Sequence, residues 1–254
     1  RKPLFRPLEK ADAVHGKDGM GDMGLIHPTS KAEDKHAIDF IIETVKKHPG
    51  EIELIALGPA TNIALAILKD HDTMKKVKHI YSMGTGGFGL GNATPVAEFN
   101  VFVDAESYKI MLESEIPITI IGFDLCLGPA AFVGSEVDEI AKKGPIANFA
   151  MSCTAALRKF NIKRRGFDSI DLPDAVAMGV ALWDDLVIED VSCYAFCCTQ
   201  EKQAYGQVIL YLSSAYSVDF DIPADNCKVV KTIDPELFKQ RLVQILATQP
   251  DAAH

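Results

Sequence analysis

The segment Gly91-Asn92-Ala93-Thr94-Pro95-Val96-Ala97-Glu98-Phe99-Asn100, followed by Asp104-Ala105-Glu106, holds the chain's most informative polar residues. Asn92, Glu98 and Asn100 offer one carboxylate, two carboxamides and no cation. Such groups can donate to and accept from O–H groups, so they suit a polyhydroxylated ligand such as a sugar. On an extended backbone Glu98 and Asn100 would share one side and Phe99 would face the other. A polar surface loop has the same composition, and residue types alone leave both readings open.

Other residues carry weaker signals. Gly84-Thr85-Gly86-Gly87-Phe88-Gly89 has the look of a dinucleotide loop. That motif opens directly into a helix, whereas this one runs into Asn92-Ala93-Thr94-Pro95, so an oxidoreductase reading is a distant third. Cys126 follows an apolar run and is a candidate contact for a ligand, although a small buried hydrophobe is the commoner fate of cysteine. Cys193 and Cys197 would share a strand face without the partners of a closed metal site.

These residues need a scaffold, and the pattern predicts one. Ile38, Ile41, Ile42 and Val45 recur at helical spacing up to Pro49-Gly50. Ile52–Leu57, His79–Met83 and Ile118–Phe123 read as strands, with helices over Ala60–Leu68 and Asp104–Leu112 between them. Further helices are expected over Val137–Ala141, Asn148–Phe160, Asp174–Leu182 and Pro235–Leu246, and further strands over Leu186–Cys198, Gln207–Leu212 and Lys228–Lys231. Residues 1–34 read as loop. Strands alternating with helices imply an α/β fold, a mainly parallel, Rossmann-like open sheet flanked by helices, with extra antiparallel strands toward the C-terminus. Ligands of such sheets sit at the carboxyl ends of the strands.

Composition narrows the function classes. The chain has 254 residues, 48% apolar and 24% charged, with a net charge of −9. That is ordinary globular composition, long enough for a large core without disulfides. Acidic residues outnumber basic ones 35 to 26, and the longest basic run is Lys163-Arg164-Arg165, which argues against a nucleic-acid partner. No apolar run is long enough to span a bilayer, so no membrane partner is expected. Six scattered cysteines without a C-x-x-C pair are expected of reduced thiols in a cytoplasmic compartment.

The block Gly91–Asn100 resembles the G-N-x-x-x-x-A-E-F-N signature of nucleoside hydrolases of the inosine–uridine-preferring type. Three more segments resemble that family in the right order: Val14-His15-Gly16-Lys17-Asp18-Gly19, Gly58-Pro59-Ala60-Thr61-Asn62-Ile63-Ala64, and Leu172-Pro173-Asp174-Ala175-Val176-Ala177. The resemblance covers essentially the whole chain. It implies hydrolysis of a ribonucleoside to ribose and a base, with Asn92, Glu98 and Asn100 on the ribose hydroxyls and Met83 beneath the ring. It implies that Asp174 ligates Ca2+ and touches ribose, that Leu57 gives its carbonyl to the same ion, and that His15 and Phe99 lie near the base. It further implies a homodimer or homotetramer. Taken alone, Asp174 could be a helix N-cap, Met83 core packing, and His15 any loop histidine.

Two departures bear on mechanism. The family's aspartate cluster D-T-D-x-G-x-D-D is absent, and with it most calcium ligands and the general base, so the catalytic residue is expected upstream of Arg1. The sequence is therefore expected to be one domain lacking its first βα units, a βαβ unit being roughly 30 residues. Many relatives place a histidine before the late aspartate; here Pro173 stands there and has no proton to give. A nucleoside- or ribose-binding protein without catalytic power stays open as the alternative. Purine or pyrimidine preference is not legible.

Overall fold

The computed structural model describes residues 2–24, 27–200, 202–212 and 221–248. In chain order its elements are α1 (Asp12–His15), α2 (Ala37–Lys47), β1 (Glu53–Ala56), α3 (Thr61–Lys69), α4 (His71–Met74), β2 (His79–Met83), α5 (Phe99–Val103), α6 (Ala105–Leu112), β3 (Ile118–Ile121), β4 (Phe132–Val133), α7 (Gly134–Ala141), α8 (Pro145–Cys153), α9 (Ala155–Arg165), β5 (Ser169–Ile170), α10 (Pro173–Leu182), β6 (Val187–Cys197), β7 (Val208–Tyr211), β8 (Cys227–Ile233) and α11 (Pro235–Leu246). The chain divides into two compact units: residues 1–8, 33–125 and 176–233, and residues 9–32, 126–175 and 234–254.

The first unit is the α/β body that the sequence pattern implies. Its six strands run in the order β1-β2-β3-β8-β6-β7. β1, β2, β3 and β8 are parallel neighbours, and β6 joins antiparallel to both β8 and β7. All of Ile118–Ile121 is buried, as expected of an interior parallel strand. The α2 helix buries Ile38, Ile42 and Val45, the predicted stripe, and His36 caps it by accepting from the Ile38 N–H at 3.2 Å. Asp104 secures two helices at once. Its buried carboxylate accepts from the Ser107 N–H and Oγ of α6, and from Thr61 Oγ1 at the start of α3. The threonine of Gly-Pro-Ala-Thr-Asn is thereby explained as an anchor.

The second unit holds β4 and β5, paired antiparallel, with α1, α7, α8, α9 and α11. Phe132 and Phe238 pack with ring centroids 6.3 Å apart. Arg158 of α9 reaches Asp168 at 2.6 Å and Asp138 of α7 at 2.6 Å, and Gly134 stays bare because a Cβ there would stand 2.1 Å from Asp168 Oδ2.

Three expectations change. The helix read over Asn148–Phe160 is two, α8 and α9, because the chain turns at Thr154 (φ −87°, ψ 1°), whose N–H already bonds back to Met151. Residues 12–15 form a short helix inside the stretch read as loop. The extended run expected at Glu98–Asn100 is the start of a helix, for a reason that belongs to the site.

Candidate active site at the carboxyl ends of the parallel strands

The register sets Ala56 beside Ser82 and Met83 beside Ile121, so β1, β2 and β3 end level with one another. The block Gly91–Asn100 lies over these ends. Its first half is a tight turn: Gly91 N–H bonds Pro95 O, Ala93 N–H bonds Ala97 O, and Thr94 Oγ1 accepts from Ala97 N–H at 3.0 Å. A Cβ on Gly91 would stand 2.3 Å from Ala97 O and 2.4 Å from Thr94 O, so only glycine closes this turn. Glu98 is the last extended residue (φ −80°, ψ 150°) and the N-cap of α5. Its Oε2 accepts from the Asn100 N–H at 2.8 Å and the Val101 N–H at 3.3 Å. A capped start satisfies donors that a helix otherwise leaves orphaned, and that is why Phe99 begins a helix where parity predicts strand. Glu98 is only 2% exposed.

The two carboxamides are oriented by partners that admit one assignment each. Asn100 Nδ2 donates to Met83 O at 3.2 Å and faces Leu57 O at 3.4 Å, linking the ends of β2 and β1. Carbonyls only accept, so the amide nitrogen must face them and Oδ1 is turned away. No protein donor reaches that Oδ1 among the described residues. Asn92 is the converse: its Oδ1 accepts from the Phe99 N–H at 2.8 Å, which leaves Nδ2 as the outward group. An outward acceptor and an outward N–H donor are what a pair of hydroxyls requires. Met83, 2% exposed, lies beneath with its Sδ 3.2 Å from Asn100 Nδ2. Leu57, Met83, Asn92, Glu98, Phe99 and Asn100 therefore form one constellation.

Sequence reasoning passed over Asp124, just beyond β3. Its Oδ2 accepts from the Phe88 N–H at 2.9 Å, while Oδ1 is buried with no hydrogen-bond partner. Burial pushes this carboxyl up from the ordinary aspartate range, against the pull of the Phe88, Asp124 and Leu125 N–H groups. Nearby Thr85 holds φ at 74°, a left-handed conformation that costs a β-branched residue on the order of 1–3 kcal/mol. A lone aspartate after a strand carries no motif, and nothing in its sequence neighbourhood marks it out.

The remaining candidates belong to the second unit or to the core. His15 ends α1 and is exposed. Asp174 lies in the first turn of α10, which opens at Pro173, so it sits one residue inside the helix and not at the cap. It keeps contact with solvent, yet the protein packed around its carboxyl pushes it up to about 6, with no hydrogen bond or opposite charge drawing it back. Cys126 is fully buried, as are Cys193 and Cys197 on one face of β6.

The geometry can now be set beside known proteins. The family model described as inosine-uridine preferring nucleoside hydrolase matches residues 1–240. The chain belongs to this nucleoside hydrolase family. A pyrimidine-specific ribonucleoside hydrolase of Enterobacter sp. (strain 638) is 30% identical over 249 residues, 97% of this chain and 77% of its own length. A probable uridine nucleosidase 1 of Oryza sativa subsp. japonica is 36% identical over 168 residues, 66% of this chain. That match spans 52% of the rice protein, about half its length. The solved structure of a purine-preferring ribonucleoside hydrolase from Gardnerella vaginalis superposes with a TM-score of 0.85 at 23% identity, covering 97% of this chain and 77% of that one. The nucleoside hydrolase fold is thus shared along nearly the whole chain.

Nucleoside hydrolases are generally metal-dependent. Among the described residues no group of three or more His, Cys, Asp or Glu is placed to hold an ion. Two single donors still fit the chemistry of a hard cation. Asp174 is a crowded carboxyl with nothing to offset its charge, and Leu57 offers a carbonyl that Asn100 engages only at 3.4 Å. A hard cation takes about six to eight oxygens, so neither donor amounts to a site by itself.

Proposed function

We propose that this nucleoside hydrolase chain carries a ribonucleoside N-ribohydrolase activity, splitting a nucleoside with water into ribose and free base. The observation that supports it most directly is the Asn92–Glu98–Asn100 constellation over the strand ends, with one outward acceptor and one outward donor. Asn100 Oδ1 accepts from one ribose hydroxyl, and Asn92 Nδ2 donates to another. Breaking the ribosyl C–N bond builds positive charge on the sugar, as in other glycosidic cleavages. The preorganised Glu98 carboxylate and Asn100 carbonyl oxygen stabilise that charge, and they cost no reorganisation because α5 and the strand ends already fix them. Phe99 and His15 are our candidates for contacts with the base.

Calcium is the ion we propose, with the Leu57 carbonyl and the Asp174 carboxyl as candidate donors. When bound it would supply an easily deprotonated water. The same reading carries a homodimer or homotetramer and a cytoplasmic setting. That no disulfide joins the described cysteines is in keeping with the latter. No helix among the described residues is long and apolar enough to cross a membrane.

The test is release of ribose from inosine, adenosine, uridine and cytidine, with and without a calcium chelator. Both base classes are needed because the relatives' own names divide between pyrimidine and purine. Chelator-sensitive release supports the reading. Binding of nucleoside without any release, from a chain carrying the upstream aspartates, overturns it in favour of a binding protein.

A further inference from the structure

The glycine loop between Met83 and Gly91 is held in a conformation that Thr85 does not favour. Thr85 is left-handed (φ 74°), and so is Gly87 (φ 64°). Inside the loop, Gly87 N–H bonds Thr85 Oγ1 and Gly89 N–H bonds Gly86 O. From outside, the Phe123 N–H reaches Thr85 O at 3.0 Å, and Asp124 Oδ2 takes the Phe88 N–H at 2.9 Å. Asp124 is thus the side chain that ties this loop to the end of β3.

The space around it is built for a carboxyl. A Cβ on Gly87 would stand 2.0 Å from Asp124 Oδ1, one on Gly122 2.4 Å from the same atom, and one on Gly89 3.0 Å from Asp124 Cβ. Bare positions on both sides of the loop make room for one acidic group, whose Oδ1 is then left buried without a partner. An apolar side chain would fill the hole without an orphaned oxygen, but it would take the acceptor away from the Phe88 N–H, so the carboxyl is kept for the loop and not for packing. The loop leads directly into Gly91-Asn92, and Asn92 holds the Phe99 N–H at the start of α5.

We propose that Asp124 is a positioning residue of the ribose site: it braces the loop 84–91 and through it sets where the Asn92 amide stands. This rests on the hydrolase reading above for its consequence, but not for the brace itself. Asp124 touches no substrate; it acts through Phe88 and the turn.

The test pairs Asp124→Ala, which deletes the acceptor, with Asp124→Asn, which keeps one. Amide hydrogen exchange of residues 86–92 and steady-state kinetics are measured on both and on the wild type. Asp124→Ala is expected to speed exchange at Phe88 about tenfold and to raise KM by a similar factor, the loss of one hydrogen bond to a carboxyl, with exchange in β2 and β3 unchanged. Asp124→Asn is expected to restore both. Should Asp124→Ala fail to fold, Asp124→Ser, whose shorter side chain withdraws the acceptor from Phe88, is expected to raise exchange there likewise. Wild-type exchange at Phe88 in the Ala variant overturns the brace, and faster exchange with an unchanged KM overturns the positioning role. A wild type that carries the upstream aspartates and binds nucleoside but releases no ribose refutes the hydrolase reading, while exchange at Phe88 still decides the brace.

Discussion

Asn100 belongs to the scaffold, and in the proposed reading it serves the chemistry as well. Its Nδ2 draws on the ends of β1 and β2, so its Oδ1 has one place to be. Asn100→Asp replaces that donor with an oxygen facing two carbonyl oxygens, and Asn100→Ala removes both functions. Either change is expected to lower kcat/KM by about 10²–10³, the usual effect of losing a preorganised group at a transition state. Circular dichroism should stay unchanged, because α5 is capped by Glu98 and not by Asn100. Kinetics within threefold of wild type in both variants would remove Asn100 from the ribose site. The identities of Asn92, Glu98 and Asn100 were legible in the sequence because they sit in a signature. Their orientation was not. Parity on a strand pairs Glu98 with Asn100, whereas the Glu98 cap turns the chain into helix after one residue. Asp124 was illegible for another reason, since its meaning comes from glycines 35 and more residues away or just before it in the chain, which only folding places around it.

At the level of elements, long periodic segments were readable and short or compensated ones were not. The β3 strand announces itself by four buried β-branched residues, and α2 by its stripe. β4 and β5 are two residues each and carry no period. The Arg158 fork on Asp138 and Asp168 helps to hold β5 next to α7 and α9, together with Asn161, whose Nδ2 donates to Ser169 O at 3.0 Å. Arg158 hydrogen-bonds both carboxylates and holds each below the usual 3.8. Groups whose folded pKa is depressed contribute stability above their unfolded value, and it is lost as pH falls through the folded values. The melting temperature of Arg158→Ala is therefore expected to fall below wild type at pH 7, and the gap to shrink as pH drops under about 3.8, where the unfolded state is protonated first, and to close below the depressed folded values. The carboxylates are exposed, so the gap is modest. A gap as large at pH 2.5 as at pH 7 would show that Arg158 acts through packing of its stem and not through the fork.

The whole molecule sets the terms on which a cation would be recognised. A net charge of −9 attracts any divalent ion weakly over the surface, so stabilisation by calcium alone proves no site. Asp174 supplies the discrimination. Its carboxyl is pushed up to about 6 by the protein around it, and because the residue stays exposed, folding works only weakly against its ionised form at neutral pH. In chelator, Asp174→Asn is expected to melt at or above the wild-type temperature, because the amide carries no charge to desolvate. With calcium, the wild type is expected to gain about 2.7 kcal/mol at a hundredfold excess over Kd, a rise of roughly 5–10 °C for a chain of this size. Asp174→Asn should lose most of that gain, and magnesium should give little of it to either protein, being smaller and reluctant to shed its water. Equal calcium shifts in wild type and variant would mean that the ion is held by surface charge alone, and Asp174 would then be neither a metal ligand nor evidence for calcium in this chain.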